Sequence, residues 1–449
     1  MTTADFPNGA ATLAKALGAK TISSHQAATH YLAKIDRDNP RLRAYIHVMA
    51  ESALAAAQAS DARRAQGKTL GPLDGIPIAI KDNIDVAGVP ATGGIGHYRN
   101  NIAASDAFVI RALKAGGAVL LGKLNMHEAA LGATNDNPWF ARCENPLRAG
   151  HTPGGSSGGS GSAVAAGLCA AALGSDTLGS VRVPASYCGV YGYKPSYGRI
   201  STRGVMPLSW SFDHVGILSA AVEDLTLLGS VCNAYDAGWP HARDYAAETV
   251  VAQGFPHGLR LGVPALHEVT LEPAVAQAWE QSLDHAKQLG ATLIELPLPG
   301  FQWSQIRREA FLISEVEAAE VFASALAANP DGFSAPLRKL LAFGARQTPE
   351  RVAHARERMR EVTASVQQTF IGVDAWILPT TPQRAFRFDS PVPVNQADLT
   401  GIANIAKLAS VAIPLAAADG GLPASIQFFT PPGRDNLALA LAQAFASTG

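Results

Sequence analysis

An excess of charge of either sign is missing from this sequence. Only 16% of its 449 residues are charged, and 36 basic against 37 acidic side chains leave a formal net charge of −1. A protein without a global electrostatic field does not attract nucleic acid or an anionic membrane as a whole. The composition therefore predicts neither nucleic acid nor a membrane as a partner.

Paired cysteines and metal-binding motifs are also missing. The four cysteines are widely spaced and form no C-x-x-C pair, which argues against a zinc knuckle or a thioredoxin-type redox site. There is no H-E-x-x-H motif and no acidic cluster with metal-ligand spacing, so the sequence predicts no metal. Cys169 and Cys188 stand among small apolar residues and are predicted to be buried free thiols.

Long hydrophobic runs are absent, although apolar residues make up 47% of the chain. The longest, residues 163–173, has 11 residues, whereas a membrane span needs about 20. The N-terminal residues show no basic segment followed by an apolar one, which a signal peptide would have. These features predict a globular protein in the cytoplasm.

Periodicity predicts an α/β protein. Residues 10–65 have a helical pattern, after which short apolar runs alternate with helical segments between glycines and prolines. Residues 300–385 are mainly helical and more charged, as in a peripheral or cap segment. Because no repeat or low-complexity linker divides the chain, residues 1–449 are predicted to form a single domain, with residues 1–65 as N-terminal helices.

A glycine- and serine-rich stretch covers residues 151–167. It lacks the lysine of a phosphate loop, and the sequence before it does not resemble the strand that precedes a dinucleotide fingerprint. The alanine-rich run that follows it argues against a flexible linker. A loop of this kind entering a helix offers backbone N–H groups to an oxyanion or a carboxylate.

Two further sites indicate nucleophilic chemistry. Gly179 directly precedes Ser180, which allows a sharp turn that exposes the hydroxyl. Lys81 follows the apolar run IPIAI, and burial of an ammonium group there would be costly. A lysine that reaches the surface, or that pairs with Asp82 or Asp85, is the alternative interpretation.

Several motifs in order resemble those of the amidase signature family, serine hydrolases that cleave C–N bonds. They occupy residues 71–83, 154–160, 174–185, 189–201 and 212–216. The resemblance implies a single α/β/α domain with a central mixed sheet flanked by helices, with residues 66–230 as its signature core. It implies no cofactor, since acyl transfer by serine needs none.

The resemblance also implies a catalytic triad. Ser180 matches the nucleophile, Lys81 the base, and Ser156 the bridging serine that follows a cis peptide bond; the 24-residue separation of the serines selects Ser156 over Ser157. A lysine can act as the base only if its pKa falls towards about 7–8. A Ser-His-Asp triad with Ser180 is the alternative, but no histidine stands in a comparable sequence motif.

The turn from Thr177 to Ser180 (Thr177, Leu178, Gly179 and Ser180) matches the family's oxyanion hole. Leu178 stands where many relatives carry glycine, and its side chain is expected to narrow the acyl pocket. The resemblance implies that three further residues hold the loop: Ser157, Asp176 and Arg182.

Substrate-pocket residues are predicted from two segments, 133–145 and 207–213, and from the loop that carries His127 and Glu128. The predicted lining residues are Trp139, Phe140, Trp210, Phe212 and His127. Core packing is the alternative for these aromatic residues, and a structural role for His127.

The function implied by the resemblance is hydrolysis of a small apolar or aromatic amide, anilide or carbamate through an acyl-enzyme. The expected partner is a small-molecule substrate, and a homodimer is compatible with the resemblance because many relatives are dimers. The alternative is the glutaminase subunit of a tRNA-dependent amidotransferase. A binding protein without catalysis is disfavoured because Lys81, Ser156 and Ser180 are all present.

Overall fold

The computed structural model describes residues 6–245, 255–256, 258–416 and 419–447. Its helices are α1 (Ala10–Gly18), α2 (Ser24–Leu42), α3 (Ala50–Ala65), α4 (Phe108–Ala115), α5 (Gly158–Ala165), α6 (Arg182–Cys188), α7 (Val222–Cys232), α8 (Pro273–Gln288), α9 (Trp303–Ala328), α10 (Ala335–Ala345), α11 (Pro349–Thr369), α12 (Gly401–Ile405) and α13 (Asp435–Ala446). Its strands are β1 (Tyr45–Val48), β2 (Pro77–Lys81), β3 (Val119–Leu124), β4 (Asp136–Asn137), β5 (Ala141–Arg142), β6 (Ala171–Asp176), β7 (Tyr191–Lys194), β8 (His214–Ser219), β9 (Arg260–Pro264), β10 (Thr292–Leu296), β11 (Ala375–Pro379), β12 (Ala409–Leu415) and β13 (Ala424–Thr430).

Eleven of these strands form one mixed sheet in the order β1-β3-β2-β6-β8-β7-β12-β13-β11-β9-β10. β2 runs parallel to β3 and to β6, whereas β8, β7, β12 and β13 pair antiparallel with their neighbours. Every residue of β2, β3, β6 and β8 is buried. Strands buried along their whole length require helices on both faces of the sheet, so the predicted α/β fold with a mixed sheet is confirmed.

The N-terminal region contains a strand that the helical pattern did not indicate. The hydroxyl of Ser23 caps α2 in a capping box with Gln26. Between α2 and α3, however, β1 pairs antiparallel with β3 at the edge of the sheet. Its four residues are too few to show an alternating pattern, and pairing with β3 decides its conformation.

The segment 300–385 contains three helices and then returns to the sheet. α9 and α10 pack through a second apolar cluster that includes Phe322 and Leu337 on the helices and Met126 and Leu208 on the core. β11, at the end of the segment, is a fully buried strand of the central sheet. The single-domain organisation and the division into three segments stay predictions.

The length and hydropathy of the helices show whether any of them could cross a membrane. Within the described ranges, no helix combines the length and the apolar character needed to cross a bilayer. The predicted cytoplasmic location stays a prediction.

Candidate active site

Lys81 is the last residue of β2 and is fully buried. Its Nζ donates hydrogen bonds to Ser156 Oγ at 2.7 Å and to Ser175 Oγ at 2.8 Å. Lys81 forms an ion pair with neither Asp82 nor Asp85 in the described part of the chain, and Asp82 pairs with Lys123 instead. Lys81 therefore points into the Gly/Ser loop instead of reaching the surface.

Burial shifts the proton equilibrium of Lys81. Loss of solvent around the ammonium group lowers the pKa of Lys81 from 10.5 to about 7, although the negative charges of Asp176 and Asp213 oppose the shift. A substantial fraction of the amine is then neutral near pH 7. A neutral amine within hydrogen-bond distance of Ser156 Oγ can accept a proton from that hydroxyl.

This pKa predicts the pH dependence of turnover. Below pH 7 Lys81 carries a proton and cannot act as a base, so kcat/KM should rise about tenfold per pH unit and level off above pH 7. The measurement is kcat/KM between pH 5 and 9, with samples returned to pH 8 to exclude inactivation. A rising limb centred near pH 10 would contradict a base with a depressed pKa.

Ser156 and Ser180 lie on two loops that hydrogen bonds join. The peptide bond between Gly155 and Ser156 is cis, as the resemblance implies. Ser157 N donates to Ser180 O at 3.1 Å, and Ser157 Oγ donates to Ser175 O at 3.1 Å. Ser157 thus connects the loop of Ser156 with the turn of Ser180, and its supporting role stays a prediction.

The turn before Ser180 has a conformation that only glycine accepts at position 179. Gly179 has φ of 135°, and a Cβ atom there would lie 2.2 Å from Thr400 Oγ1. Its N–H donates to Asp176 Oδ1 at 2.7 Å, so this donor is committed to the carboxylate. The prediction of Gly179 as an oxyanion donor is corrected on this ground. In the part of the chain that is described, the N–H groups of Leu178 and Ser180 have no acceptor.

A buried ion pair holds this turn. Asp176 and Arg182 are both fully buried, and the guanidinium donates to both carboxylate oxygens. Burial alone would raise the pKa of Asp176, but the charge and hydrogen bonds of Arg182 outweigh it and hold that pKa well below the usual range. Arg182 also donates to Asn404 Oδ1 at 2.7 Å and to Gln427 Oε1 at 3.1 Å. These contacts tie the turn to α12 and β13, and the supporting roles of Asp176 and Arg182 stay predictions.

Removal of the Asp176 charge should destabilise the fold. Asp176→Asn leaves the guanidinium of Arg182 buried without a counter-charge, which costs about 3–5 kcal/mol of unfolding free energy. Urea denaturation measures the loss. Asp284→Asn is the control, because its ion pair with Lys287 is exposed and should contribute little. Equal midpoints for the two variants would show that the buried pair does not hold the turn.

A small cavity opens beside Ser180. Its volume is about 60 Å³, and it is lined by Ala130, Gly132, Ala133, Gly155, Thr177, Leu178, Gly179, Ser180, Val183, Leu208, Phe311, Ser314 and Ala397. Leu178 is one of these wall residues, and the narrowing of the pocket by its side chain stays a prediction. A larger groove of about 740 Å³ lies against β1 and α3 and shares no lining residue with this cavity.

None of the predicted pocket residues lines the cavity, and this prediction is corrected. Trp139 donates from its indole nitrogen to Glu128, and Phe140 lies under the guanidinium of Arg99. Trp210 is 39% exposed to solvent, and Phe212 packs in the main core. Large apolar side chains satisfy a core or a surface as well as a pocket, so their type alone did not locate them.

His127 lies behind the cavity wall instead of in it. Burial lowers the pKa of His127 to about 4, so the imidazole is neutral near pH 7. Its Nδ1 accepts a hydrogen bond from Asn135 N at 3.2 Å. A Cβ atom on Gly132 would lie 2.1 Å from Nε2, which places the ring directly behind a residue of the wall. These contacts favour the structural role.

Most of the residues that the sequence did not reveal come from segments distant from the motifs. Ser175 contacts Lys81, and Thr400, Asn404 and Gln427 contact the turn or its ion pair. The wall residues Phe311, Ser314 and Ala397 carry no motif that could have revealed them. Ser175 and Leu208 lie inside segments already singled out, so a signal for them was present.

Known proteins resemble this chain over almost its whole length. A family model described as Amidase matches residues 26–439. A Glutamyl-tRNA(Gln) amidotransferase subunit from Chloroflexus aurantiacus is 34% identical, with 93% of this chain and 91% of that protein covered. The corresponding protein from Anaeromyxobacter dehalogenans is 35% identical, again covering 93% and 91%.

Solved structures also resemble this chain over almost its whole length. A structure described as a vestigial protein complex that reveals the evolutionary origins of an s-triazine catabolic enzyme is 32% identical, with a TM-score of 0.92 and 98% of both chains covered. A bacterial aryl acylamidase of the amidase signature family has a TM-score of 0.91 at 21% identity, covering 98% of this chain and 96% of that one, and supports the fold alone.

The predicted set of partners is wrong. Its main interpretation admitted a small-molecule substrate, excluded nucleic acid and offered a homodimer as the assembly, and only the alternative function, a glutaminase subunit, involved other proteins. Relatives that match 93% of this chain are instead named as one of the subunits of a Glutamyl-tRNA(Gln) amidotransferase. Net charge cannot exclude such partners, because it averages over the whole surface, whereas docking depends on local surfaces.

Proposed function

This chain belongs to the amidase family, and we propose that it is the amidase component of a protein complex, in which it releases ammonia from a carboxamide through an acyl-enzyme on Ser180. The observation that carries the proposal is the hydrogen bond between the buried amine of Lys81 and Ser156 Oγ, next to the turn of Ser180. A depressed pKa at Lys81 supports its role as a base near neutral pH.

In the proposed mechanism Ser156 relays a proton from Ser180 to neutral Lys81. Ser180 Oγ attacks the carboxamide carbon, and the N–H groups of Leu178 and Ser180 stabilise the oxyanion that forms. The proton on Lys81 returns through Ser156 to the leaving nitrogen, so that ammonia departs and the acyl group stays on Ser180. Water then attacks the ester, with the same groups acting in reverse.

The relatives support an assembly with a second protein. The curated relatives are named as part of an amidotransferase with more than one kind of chain, and the 32% identical structure is described as a protein complex. Their match over more than nine tenths of this chain favours the same kind of assembly here. Glutamine is the first carboxamide to test, because the amidotransferase alternative requires it as the ammonia source.

Hydrolysis of a small uncharged amide is a second candidate. The described cavity wall contains no charged side chain, and Leu178, Val183, Leu208 and Phe311 make much of it apolar. Such a wall favours an acyl group without charge. An apolar or aromatic amide, anilide or carbamate fits this description.

Ammonia release and acyl-enzyme mass distinguish the two candidates. The purified chain is incubated with glutamine, propionamide and benzamide, and with an anilide whose released amine is followed by absorbance. Intact-protein mass after a rapid acid quench detects the acyl group on Ser180. Glutamine turnover supports the amidotransferase-type function, and turnover of the uncharged amides alone supports the small-amide hydrolase. If no substrate gave either turnover or an acyl adduct on Ser180, both candidate functions would be contradicted.

A further inference from the structure

The segment Leu208–Asp213 lies between the turn of Ser180 and the long helix α9; we call it the bracket loop. At its start, Leu208 forms part of the cavity wall. At its end, Asp213 Oδ1 accepts a hydrogen bond of 2.6 Å from Thr177 Oγ1, at the beginning of the turn. The loop therefore contacts both the acyl pocket and the turn that carries the nucleophile.

Asp213 closes the bracket loop on itself. Its Oδ2 accepts hydrogen bonds from Leu208 N at 2.8 Å and from Ser209 N at 2.9 Å, while Oδ1 holds Thr177. One carboxylate thus fixes both ends of the loop and the first residue of the turn. A displacement of Asp213 would move the pocket wall and the turn together.

Glu317 fastens the same loop to α9. It is fully buried, and its Oε2 accepts from Ser209 Oγ at 2.6 Å and from Ser211 N at 3.1 Å. Its Oε1 accepts from Ser211 Oγ at 2.5 Å. Ser314 lies one turn earlier on α9 and lines the cavity. The helix that supplies one wall of the pocket is therefore joined to the loop that supplies another.

The two carboxylates are costly to bury, and neither touches the triad. Asp213 is 8% exposed and Glu317 is not exposed at all. Burial, reinforced by the charge of Glu317 and only partly offset by hydrogen bonds, raises the pKa of Asp213 to about 6. Buried carboxylates need a compensating set of donors, and most of these come from the backbone and hydroxyls of the bracket loop, with Arg356 pairing with Glu317 Oε1 at 3.5 Å and Thr177 donating to Asp213.

We propose that Asp213 and Glu317 are positioning residues that hold the oxyanion turn and the acyl-pocket wall at a fixed separation through the bracket loop. This inference rests on the proposed role of Ser180 as the nucleophile. In this proposal α9 not only forms part of the cavity wall but also helps to position the turn of Ser180. The contact of Asp213 with Thr177 is the step through which the effect reaches the turn.

The test measures the reactivity of Ser180 without any assumption about the natural substrate. A fluorophosphonate probe reacts with an activated serine: the Ser180 Oγ–phosphorus bond forms, the phosphorus–fluorine bond breaks, and fluoride and the hydroxyl proton leave. Second-order labelling rates are compared for wild type, Asp213→Asn, Thr177→Val, their double variant and Glu317→Gln. Glu320→Gln is the control, because Glu320 is exposed on the same helix.

We expect labelling to slow about tenfold to 100-fold in Asp213→Asn and Thr177→Val, below the 10²–10³-fold loss that follows removal of a whole oxyanion donor. The double variant should be no slower than the slower single variant, because both changes remove the same contact. Glu317→Gln should slow labelling about tenfold, and Glu320→Gln should leave it unchanged. Thr177→Val is nearly isosteric and keeps the test decisive if Asp213→Asn does not fold.

Three outcomes would overturn the inference. Folded Thr177→Val and Glu317→Gln that label within twofold of wild type would show that the bracket loop does not position the turn. Additive losses in the double variant would show that Asp213 does not act through Thr177. A wild-type protein that is not labelled at Ser180 would contradict the proposed function as well as the inference. The other two outcomes would contradict the inference alone.

Discussion

Ser180→Ala should lower kcat by about 10⁴- to 10⁶-fold on any carboxamide that the wild type hydrolyses. The variant keeps the backbone N–H groups of the turn and the cavity beside them, but it has no hydroxyl to form the acyl-enzyme. Residual hydrolysis then depends on binding and on oxyanion stabilisation alone. Steady-state ammonia release and the loss of the acyl adduct on the quenched protein measure the effect.

A second serine serves as the control for this variant. Ser230 is exposed on α7, and its hydroxyl donates only to Leu227 O of the same helix. Ser230→Ala should retain wild-type turnover and should show that serine removal by itself is harmless. Unchanged turnover in Ser180→Ala would refute the assignment of the nucleophile and leave only the fold.

Lys81→Met should reduce kcat by about 10³- to 10⁴-fold, the contribution expected of a positioned base. Methionine keeps most of the side-chain volume at the end of β2 but cannot accept a proton from Ser156 Oγ, which now lies 2.7 Å from Nζ. The rise of kcat/KM through pH 7 should disappear with the amine. Turnover across pH 5 to 9 measures both changes.

The same variant should change how stability depends on pH. In the folded chain the pKa of Lys81 is about 7, below the 10.5 of an ordinary lysine. Between these values the unfolded chain binds a proton that the folded chain does not, so this group makes the free energy of unfolding rise with pH. The difference between wild type and Lys81→Met should therefore rise between pH 7 and 10.5.

Lys287→Met provides the matched control, since Lys287 is an exposed lysine on α8. It should keep both the activity and the pH dependence of wild-type stability. Denaturation with urea at several pH values, run in parallel for the three proteins, gives the comparison. A Lys81→Met protein with wild-type turnover would mean that another group takes the proton from the serines.

Much of the fold and the central motifs could be predicted because their signals are local. An apolar run ending in Lys81 marks a buried strand, and a glycine before Ser180 marks a turn; both readings match the structure. The adjacency of β2 and β6, which brings Lys81 to Ser175, is a property of the sheet order and does not show in either segment alone.

The cavity beside Ser180 could not be predicted in the same way. Its wall combines Leu208, Phe311 and Ala397 from three segments that meet only in the folded chain. The aromatic residues chosen from sequence have the right chemistry for a pocket, but hydrophobicity fixes only that a side chain avoids water. Whether it does so in the core, as Phe212 does, or beside a ligand is decided by tertiary packing.

The long-range contacts of Arg182 also bear on protein synthesis. Its guanidinium donates hydrogen bonds to Asn404 and to Gln427, and Gln427 lies 245 positions further along the chain. A ribosome adding about 5–20 residues per second needs roughly 12 to 50 s to make that stretch. During this interval the nascent chain contains Ser180 but lacks Asn404 and Gln427, which hold the turn of Ser180 through Arg182. We therefore expect newly made polypeptide to gain any hydrolytic activity only after nearly its whole length has been translated.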